Sequence, residues 1–192
     1  MAAVSIPLRY AQQGSSLAHA ALAGHKVFEA LVHHPRRDVV DHACGTRFFY
    51  HAHPVAGDAF QEHGHFHLFH ADGAGFSHLA ALSIDAQGRP LRWFCTNQWV
   101  TGERWRSANR WSAVVRGFTL QTRGRLAPVA RWLTAMVSLY RDELQALLLE
   151  RDALLARQCT SVSQRRVFFN NRQVHILCSR PISLQGKVQS LL

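Results

Sequence analysis

The chain has 192 residues, of which 47% are hydrophobic and 18% are charged. With only 12 glycines and 6 prolines it is neither collagen-like nor of low complexity, and its apolar residues suffice for a packed core. Lysine and arginine together number 22 against 12 acidic residues, a net charge of +10 at pH 7, which indicates an acidic partner such as nucleic acid as a candidate. The length is typical of one domain, so we expect residues 1–192 to form a single domain.

The four cysteines are scattered and form no Cys-x-x-Cys pair. A chain of this size needs no disulfides for stability, so the pattern favours reduced thiols. The N-terminus lacks a charged segment followed by an apolar one, and no apolar run reaches about 18 residues. These features predict a cytoplasmic protein without a membrane span.

Hydrophobic periodicity divides the N-terminal half into helical and strand-like segments. Residues 1–16 are expected to be an extended lead-in, and an apolar repeat with helical spacing predicts an amphipathic helix over 17–34. Further along, apolar and polar residues alternate, as in strands. The predicted strands cover 47–53, 64–70, 76–85 and 90–97. Glycine-containing turns separate them, so the range 47–97 is expected to form a histidine-rich antiparallel sheet.

The C-terminal half is predicted to be mainly helical. Thr101 is a candidate cap for a helix that begins near Gly102, in a helical part that covers 102–157. Its main element is a helix from about 128 to 156, with a proline in its first turn and an apolar stripe. Residues 165–192 are expected to form a second hairpin and a tail with a short final helix. These elements predict an α+β fold, in which an antiparallel sheet of about four to six strands packs against the long helix and an N-terminal helix.

Histidine is the unusual residue, because 13 are present and ten of them fall within residues 33–78. The strongest pattern is Glu62-His63-Gly64-His65-Phe66-His67. Residues two apart in a strand point to the same face, so His63, His65 and His67 are expected to project together. Imidazoles become charged below their usual pKa of about 6.5, so the activity of such a region should depend on pH.

Two neighbouring imidazoles can bind one metal ion at about 2.0–2.1 Å, and a ligand from an adjacent strand would complete a set with open coordination positions. The nearest candidates for that ligand are His51 and His53, which are two apart on a predicted strand. Other candidates are His78, Glu62 and Asp58. Without paired cysteines, such a site fits catalytic zinc or non-haem iron better than structural zinc. The alternative is that these histidines pack, bond the backbone or face solvent without any metal.

Three segments carry the most distinctive motifs: EHGHFH at 62–67, SHLAALS at 77–83 and TNQWVTGE at 96–103. In these segments the chain resembles an uncharacterised bacterial family known only as a domain of unknown function. The resemblance is specific over 62–103 and weaker through the helices that follow. It implies a soluble bacterial protein, and it transfers no activity, cofactor or catalytic residue.

The same histidines fit a second hypothesis. His65-Phe66-His67 has the histidine, hydrophobic residue, histidine pattern of HUH-like endonucleases, in which two histidines on a strand bind a divalent metal. Those enzymes attack a phosphodiester with a tyrosine on a later helix, and Tyr140 lies on such a predicted helix. The resemblance is one of motif and order alone. Tyr140 also lies in line with the apolar stripe, where it would be buried.

Arginines and tryptophans are interleaved after the predicted sheet. Residues 89–131 contain nine arginines, four tryptophans and one acidic residue, Glu103. Arginine and aromatic side chains together bind phosphates and stack on bases, so single-stranded nucleic acid is a candidate partner, and another protein is a second. The candidate contacts are Arg92, Arg104, Arg106 and Arg110. Solvated arginines and buried tryptophans would give the same pattern.

The candidates for a catalytic role are Glu62, Glu103 and Tyr140. Glu103 is placed to act as a general base or ligand, but a carboxylate in the first turn of a helix also stabilises that helix by about 0.3–1 kcal/mol, and we favour this role. Cys95 is predicted to pack as a small apolar side chain. The sequence contains no glycine-rich phosphate loop, so no nucleotide cofactor is expected.

The leading hypothesis is a metal-binding protein of unknown substrate, with a histidine-ligated metalloenzyme as its most specific form. The predicted metal ligands are His63, His65, His67, His51, His53 and Glu62. The suspected cofactor is a divalent metal, zinc or iron. The two alternatives are a single-stranded nucleic-acid binder or HUH-like endonuclease, and a non-catalytic interaction module.

Overall fold

The computed structural model describes residues 1–25, 27–52 and 61–191. Within them, six strands form one antiparallel sheet flanked by helices, which confirms the predicted α+β class. The strands are β1 (His34–Asp41), β2 (Thr46–Ala52), β3 (Gly64–Asp72), β4 (Gly75–Ile84), β5 (Pro90–Thr96) and β6 (Ile176–Pro181). Each strand pairs with the next along the chain, so β1 to β5 form a meander and β6 joins β5 after a long helical stretch.

The helices lie before, between and after the strands. They are α1 (Ala2–Gln12), α2 (Leu17–Ala21), α3 (Gln98–Thr101), α4 (Ala108–Gly117), α5 (Ala127–Leu139), α6 (Arg141–Gln158), α7 (Val162–Phe169) and α8 (Leu184–Gln189). In the ranges given above, none of these helices combines the length and apolar character needed to cross a lipid bilayer.

The main hydrophobic core lies between one face of the sheet and the helices. Phe48 and Tyr50 of β2 and Phe66 and Leu68 of β3 are fully buried on this face, and the Phe66 ring lies 5.9 Å from the ring of Trp132 in α5. Full burial of each such side chain stabilises the fold by about 1.5–3 kcal/mol. We call this side of the sheet the core face.

The N-terminal predictions are wrong in two places. Residues 1–16 are not an extended lead-in, because α1 forms there and packs against α5, with Ala3 buried in the core. The helix predicted over 17–34 ends at Ala21, since Ala23 and Gly24 adopt positive φ angles of 54° and 101°, which stop a right-handed helix. The sheet then starts with β1, one strand earlier than predicted.

The C-terminal half also departs from its predicted boundaries. The long helix predicted from about 128 to 156 is interrupted at Tyr140, which has non-helical dihedral angles and separates α5 from α6. No helix begins near Gly102, because this residue adopts a φ of 63° and ends α3. The second hairpin predicted within 165–192 is absent from the described residues: its first half is helix α7, and β6 pairs with β5 instead. The short final helix is confirmed as α8.

Candidate metal centre

Three histidines meet on the second face of the sheet, which we call the histidine face. In the antiparallel register of β2 and β3, His51 lies directly opposite His65, and Phe49 lies opposite His67. Opposite residues of an antiparallel pair share a face, and so do residues two apart on one strand. The pairing therefore brings His51 beside His65 and His67, which the sequence placed on a separate strand.

The side chains of His51, His65 and His67 converge. One ring nitrogen from each lies within 4.8 Å of the other two, and the Nε2 atoms of His65 and His67 are 3.0 Å apart. His67 is fully buried, His65 is 6% exposed and His51 is partly exposed. These three histidines are positioned to bind a metal ion, and the two on β3 are more deeply buried than His51 on β2.

A carboxylate bonds the ring nitrogen of His65 that faces away from His67. Glu62 Oε1 lies 2.5 Å from His65 Nδ1, and Arg92 donates from Nη2 to Glu62 Oε2 over 3.1 Å. Burial raises the pKa of Glu62, but the hydrogen bonds and positive charge of His65 and Arg92 outweigh it and the net shift is downward. Glu62 is therefore a carboxylate that fixes the orientation of His65 through the nitrogen facing away from His67.

The second ring nitrogen of His67 also has a hydrogen-bond partner. Its Nδ1 lies 3.0 Å from His78 Nε2, and His78 Nδ1 lies 3.2 Å from the Thr96 hydroxyl. Burial, together with neighbouring positive charge, lowers the pKa of His67 well below its usual value and that of His78 to about 3. Both rings are neutral at physiological pH, which is the form that binds metals.

A β-bulge brings His78 to the histidine face. Ala80, Leu82 and Ile84 point into the main core, so strict alternation would also turn His78 toward the core. The register between β3 and β4 shifts at Leu68 and Phe69, and Leu79 joins Ala80 in the core. The extra residue reverses the alternation and pairs His78 with Phe69.

Aromatic side chains surround the three histidines. The ring of Phe49 lies 4.8 Å from that of His67, and the ring of Phe94 meets that of His65 edge-on at 4.9 Å. Phe49, Phe69 and Phe94 are each at most 5% exposed. An apolar surround of this kind lowers the local dielectric constant and strengthens the electrostatic interactions of any bound ion.

His63 does not join the triad, and the expectation that it projects beside His65 is wrong. Its Nδ1 lies 2.7 Å from the Tyr50 hydroxyl and its ring packs on Phe28, on the core side. The reason is that β3 begins only at Gly64, so strand alternation does not extend back to His63. Gly64 is required here, because a Cβ atom would lie 2.5 Å from the Tyr50 hydroxyl.

The other sequence-based candidates lie in different places. His53 and Asp58, named above as metal ligands, lie outside the described residues. Tyr140 is 2% exposed in the main core, on the far side of the sheet from the histidines, and burial raises its pKa to about 12. The endonuclease hypothesis needs the Tyr140 hydroxyl at the metal centre, and this position does not bring it there.

Glu103 is a partly buried acid and not a helix cap. It lies between α3 and α4, where the Thr101 hydroxyl donates to its carboxyl group. Burial raises its pKa to about 8, although the positive charges of Arg151 and Arg47 oppose that shift. The expected stabilisation of a helix dipole is therefore wrong, since no helix has Glu103 in its first turn.

Three of the four candidate anion-binding arginines lie around the β3–β4 turn, and the fourth, Arg92, lies at the metal centre. Arg92 is paired with Glu62, and Arg106 is 6% exposed and stacks over Trp111 with 4.6 Å between its guanidinium carbon and the ring centre. Arg110 pairs with Asp72 at 3.6 Å, and Arg104 lies beside the β3–β4 turn. Binding of nucleic acid by these residues stays a prediction, and two of the four point inward.

Sequence reasoning missed Thr96 and misjudged Arg92. Thr96, Phe94 and Arg92 alternate along β5, which is the signal that they share a face. That alternation could have placed them on the histidine face once the register of β4 and β5 was known. The register itself contains an irregularity at Ser83 and Ile84, which no sequence pattern indicates.

Comparison with known proteins gives a family and no activity. No curated protein and no solved structure matches the chain. A family described as a domain of unknown function, DUF6969, matches residues 2–182, which include every strand and the three histidines. The chain belongs to the DUF6969 family.

Proposed function

We propose that this protein binds one divalent transition-metal ion through His51, His65 and His67, and that the site is built for chemistry at the metal. The observation that carries the proposal is the convergence of three imidazoles on one buried face, with two Nε2 atoms 3.0 Å apart. Two nitrogens that each bind one ion at about 2.1 Å are separated by about 3.0 Å at a right angle and about 3.4 Å at a tetrahedral angle. The spacing of His65 and His67 fits this range.

The donor set supports zinc or iron as the ion. Imidazole nitrogen is a common ligand of both, and no cysteine belongs to the group of potential ligands found in the described residues. Three protein ligands leave at least one coordination position for water or substrate, as in catalytic sites, whereas structural zinc sites usually have four protein ligands. When bound, such an ion supplies Lewis acidity and activates water at neutral pH.

The surroundings of the ligands also support a metal. Metal-binding histidines usually donate their second N–H to a carboxylate, carbonyl or other acceptor, and the pair of Glu62 and His65 has this arrangement. A buried polar cluster of this size stabilises a fold poorly, because each imidazole loses its water. A bound ion would add coordination bonds to the hydrogen bonds that already hold these imidazoles.

Metal content tests the proposal directly. The purified protein is stripped with a chelator, dialysed against Zn²⁺, Co²⁺ or anaerobic Fe²⁺, and analysed by mass spectrometry of the metal. We expect one ion per chain, and loss of that ion in the double variant His65→Ala/His67→Ala. The matched control is His63→Ala/His70→Ala, which removes two histidines from the same segment and should retain the ion. Substoichiometric metal in the wild type with all three ions would refute the proposal.

A further inference from the structure

A continuous line of hydrogen bonds runs through the metal centre, from Glu62 at one end to Thr96 at the other. It joins Glu62 to His65 over 2.5 Å, His65 to His67 over 3.0 Å, His67 to His78 over 3.0 Å, and His78 to Thr96 over 3.2 Å. All three histidines and Thr96 are at most 6% exposed. The line crosses β3, β4 and β5, and its members come from 62 to 96 in the sequence.

A neutral imidazole has one N–H donor and one acceptor nitrogen, so the direction of each bond in the line determines the next. Glu62 is a carboxylate and can only accept, which places the proton of His65 on Nδ1.

A metal ion bound by His65 and His67 through their facing Nε2 atoms would fix the direction of the bonds beyond His65. His67 would then carry its proton on Nδ1 and donate to His78 Nε2. His78 would in turn carry its proton on Nδ1 and donate to the Thr96 oxygen.

We propose that His78 and Thr96 are positioning residues for this metal centre: when His67 binds the ion through Nε2, they hold its proton on Nδ1 and fix the orientation of its ring. The inference rests on the proposed metal-binding function. With the ion bound, the hydrogen bond between the Nε2 atoms of His65 and His67 would be replaced by their bonds to the ion, while the bonds from His67 to His78 and from His78 to Thr96 would be kept.

This arrangement gives His65 and His67 different partners on the side away from the ion. Glu62 accepts from Nδ1 of His65 and leaves its Nε2 for the ion. His67 depends in the same way on His78, and His78 depends on Thr96 to accept from its Nδ1. Removal of such partners typically weakens metal affinity 10- to 100-fold.

The first experiment reads the tautomer in the wild-type protein. Long-range ¹H–¹⁵N spectra of the imidazoles are recorded for chelator-stripped protein and after addition of one equivalent of Zn²⁺. We expect His65, His67 and His78 all to carry the proton on Nδ1 in the Zn²⁺ complex. An Nε2-bound proton on His67 in the Zn²⁺ complex would overturn the inference.

The second experiment measures Zn²⁺ affinity by competition with a chelator. We expect His78→Leu to weaken binding 10- to 100-fold, Thr96→Val to weaken it less, and His78→Gln to restore most of the affinity, because its amide oxygen accepts from His67 Nδ1. The control is Thr46→Val, which removes another buried threonine hydroxyl that bonds the Thr119 carbonyl. Unchanged affinity in folded His78→Leu would refute the positioning role. Failure of the wild type to bind Zn²⁺, Co²⁺ or Fe²⁺ would instead refute the metal site itself.

Discussion

The two faces of the sheet are both buried, but they bury different chemistry. On the core face, Phe66 packs against the rings of Tyr50 and Trp132. On the histidine face, the neighbouring residue His67 is equally inaccessible and contacts two other imidazoles. The apolar face gains free energy from removal of water, whereas the polar face must replace each lost bond to water with an internal one. The difference indicates that one face stabilises the fold and the other is kept for binding.

The largest expected effect tests this difference at Phe66, the residue next to His67. Phe66→Ala should lower the free energy of unfolding by about 3–5 kcal/mol, because it leaves a cavity among large aromatic rings. The folded variant should still bind one metal ion, since its cavity lies on the opposite side of the sheet from the ligands. Urea unfolding and metal analysis measure the two quantities. Loss of metal from the folded variant would show that the two faces are not separable.

A second prediction concerns Glu103, the partly buried acid that follows α3. The pKa of Glu103 is about 8 in the folded protein and near 4.5 when the chain is unfolded, so the unfolded state ionises first as pH rises. Glu103 therefore lowers the free energy of unfolding progressively between about pH 4.5 and pH 8. It causes no further loss above that range. Glu103→Gln should remove this loss and raise the free energy of unfolding at pH 7 by roughly 1–3 kcal/mol.

Denaturant unfolding at pH 4.5, 6 and 8 measures this effect as the difference between variant and wild type. The difference should be near zero at pH 4.5 and should grow toward pH 8. Asp142→Asn is the control, because its side chain is 92% exposed and its removal should give no such trend. A constant difference at all three pH values would contradict the assignment of a raised pKa to Glu103.

The smallest expected effect is on the core side. The Tyr140 hydroxyl is buried and has no hydrogen-bond partner among the described residues, so it contributes no bond that its removal would break. Tyr140→Phe should change the free energy of unfolding by less than about 1 kcal/mol, with a gain as the expected sign. Cleavage of single-stranded DNA by the wild type and its loss in this variant would favour the endonuclease hypothesis instead.

The sequence predicted the chemistry of the centre better than its geometry. Strand alternation correctly placed His65 and His67 on one face, and the second histidine pair supplied His51. The pairing register that sets His51 opposite His65 is a property of two strands together, and neither strand determines it alone. His63 failed as a ligand because the strand starts one residue later, a boundary that alternation does not reveal.

The fold class was predictable from the same patterns, whereas the helix boundaries were not. The apolar stripe from 128 to 156 correctly predicted helical residues but passes without interruption through Tyr140, where the chain leaves helical geometry. Residues 1–16 were mistaken for extended chain because the helix there is stabilised by packing against α5, a contact between segments far apart in sequence. Tertiary contacts of this kind leave no local pattern.

The bulge in β4 lets two consecutive residues, Leu79 and Ala80, face the core while His78 still reaches His67. Without the bulge, strict alternation over the same sequence would turn Leu79 toward the histidine face and the imidazole of His78 among the aromatic rings of the core. Deleting Leu79 would remove the extra residue and leave His78 directly before Ala80, where regular alternation keeps the imidazole on the histidine face. A related chain that lacks this residue should therefore keep the partner of His67 and lose only the core side chain of Leu79.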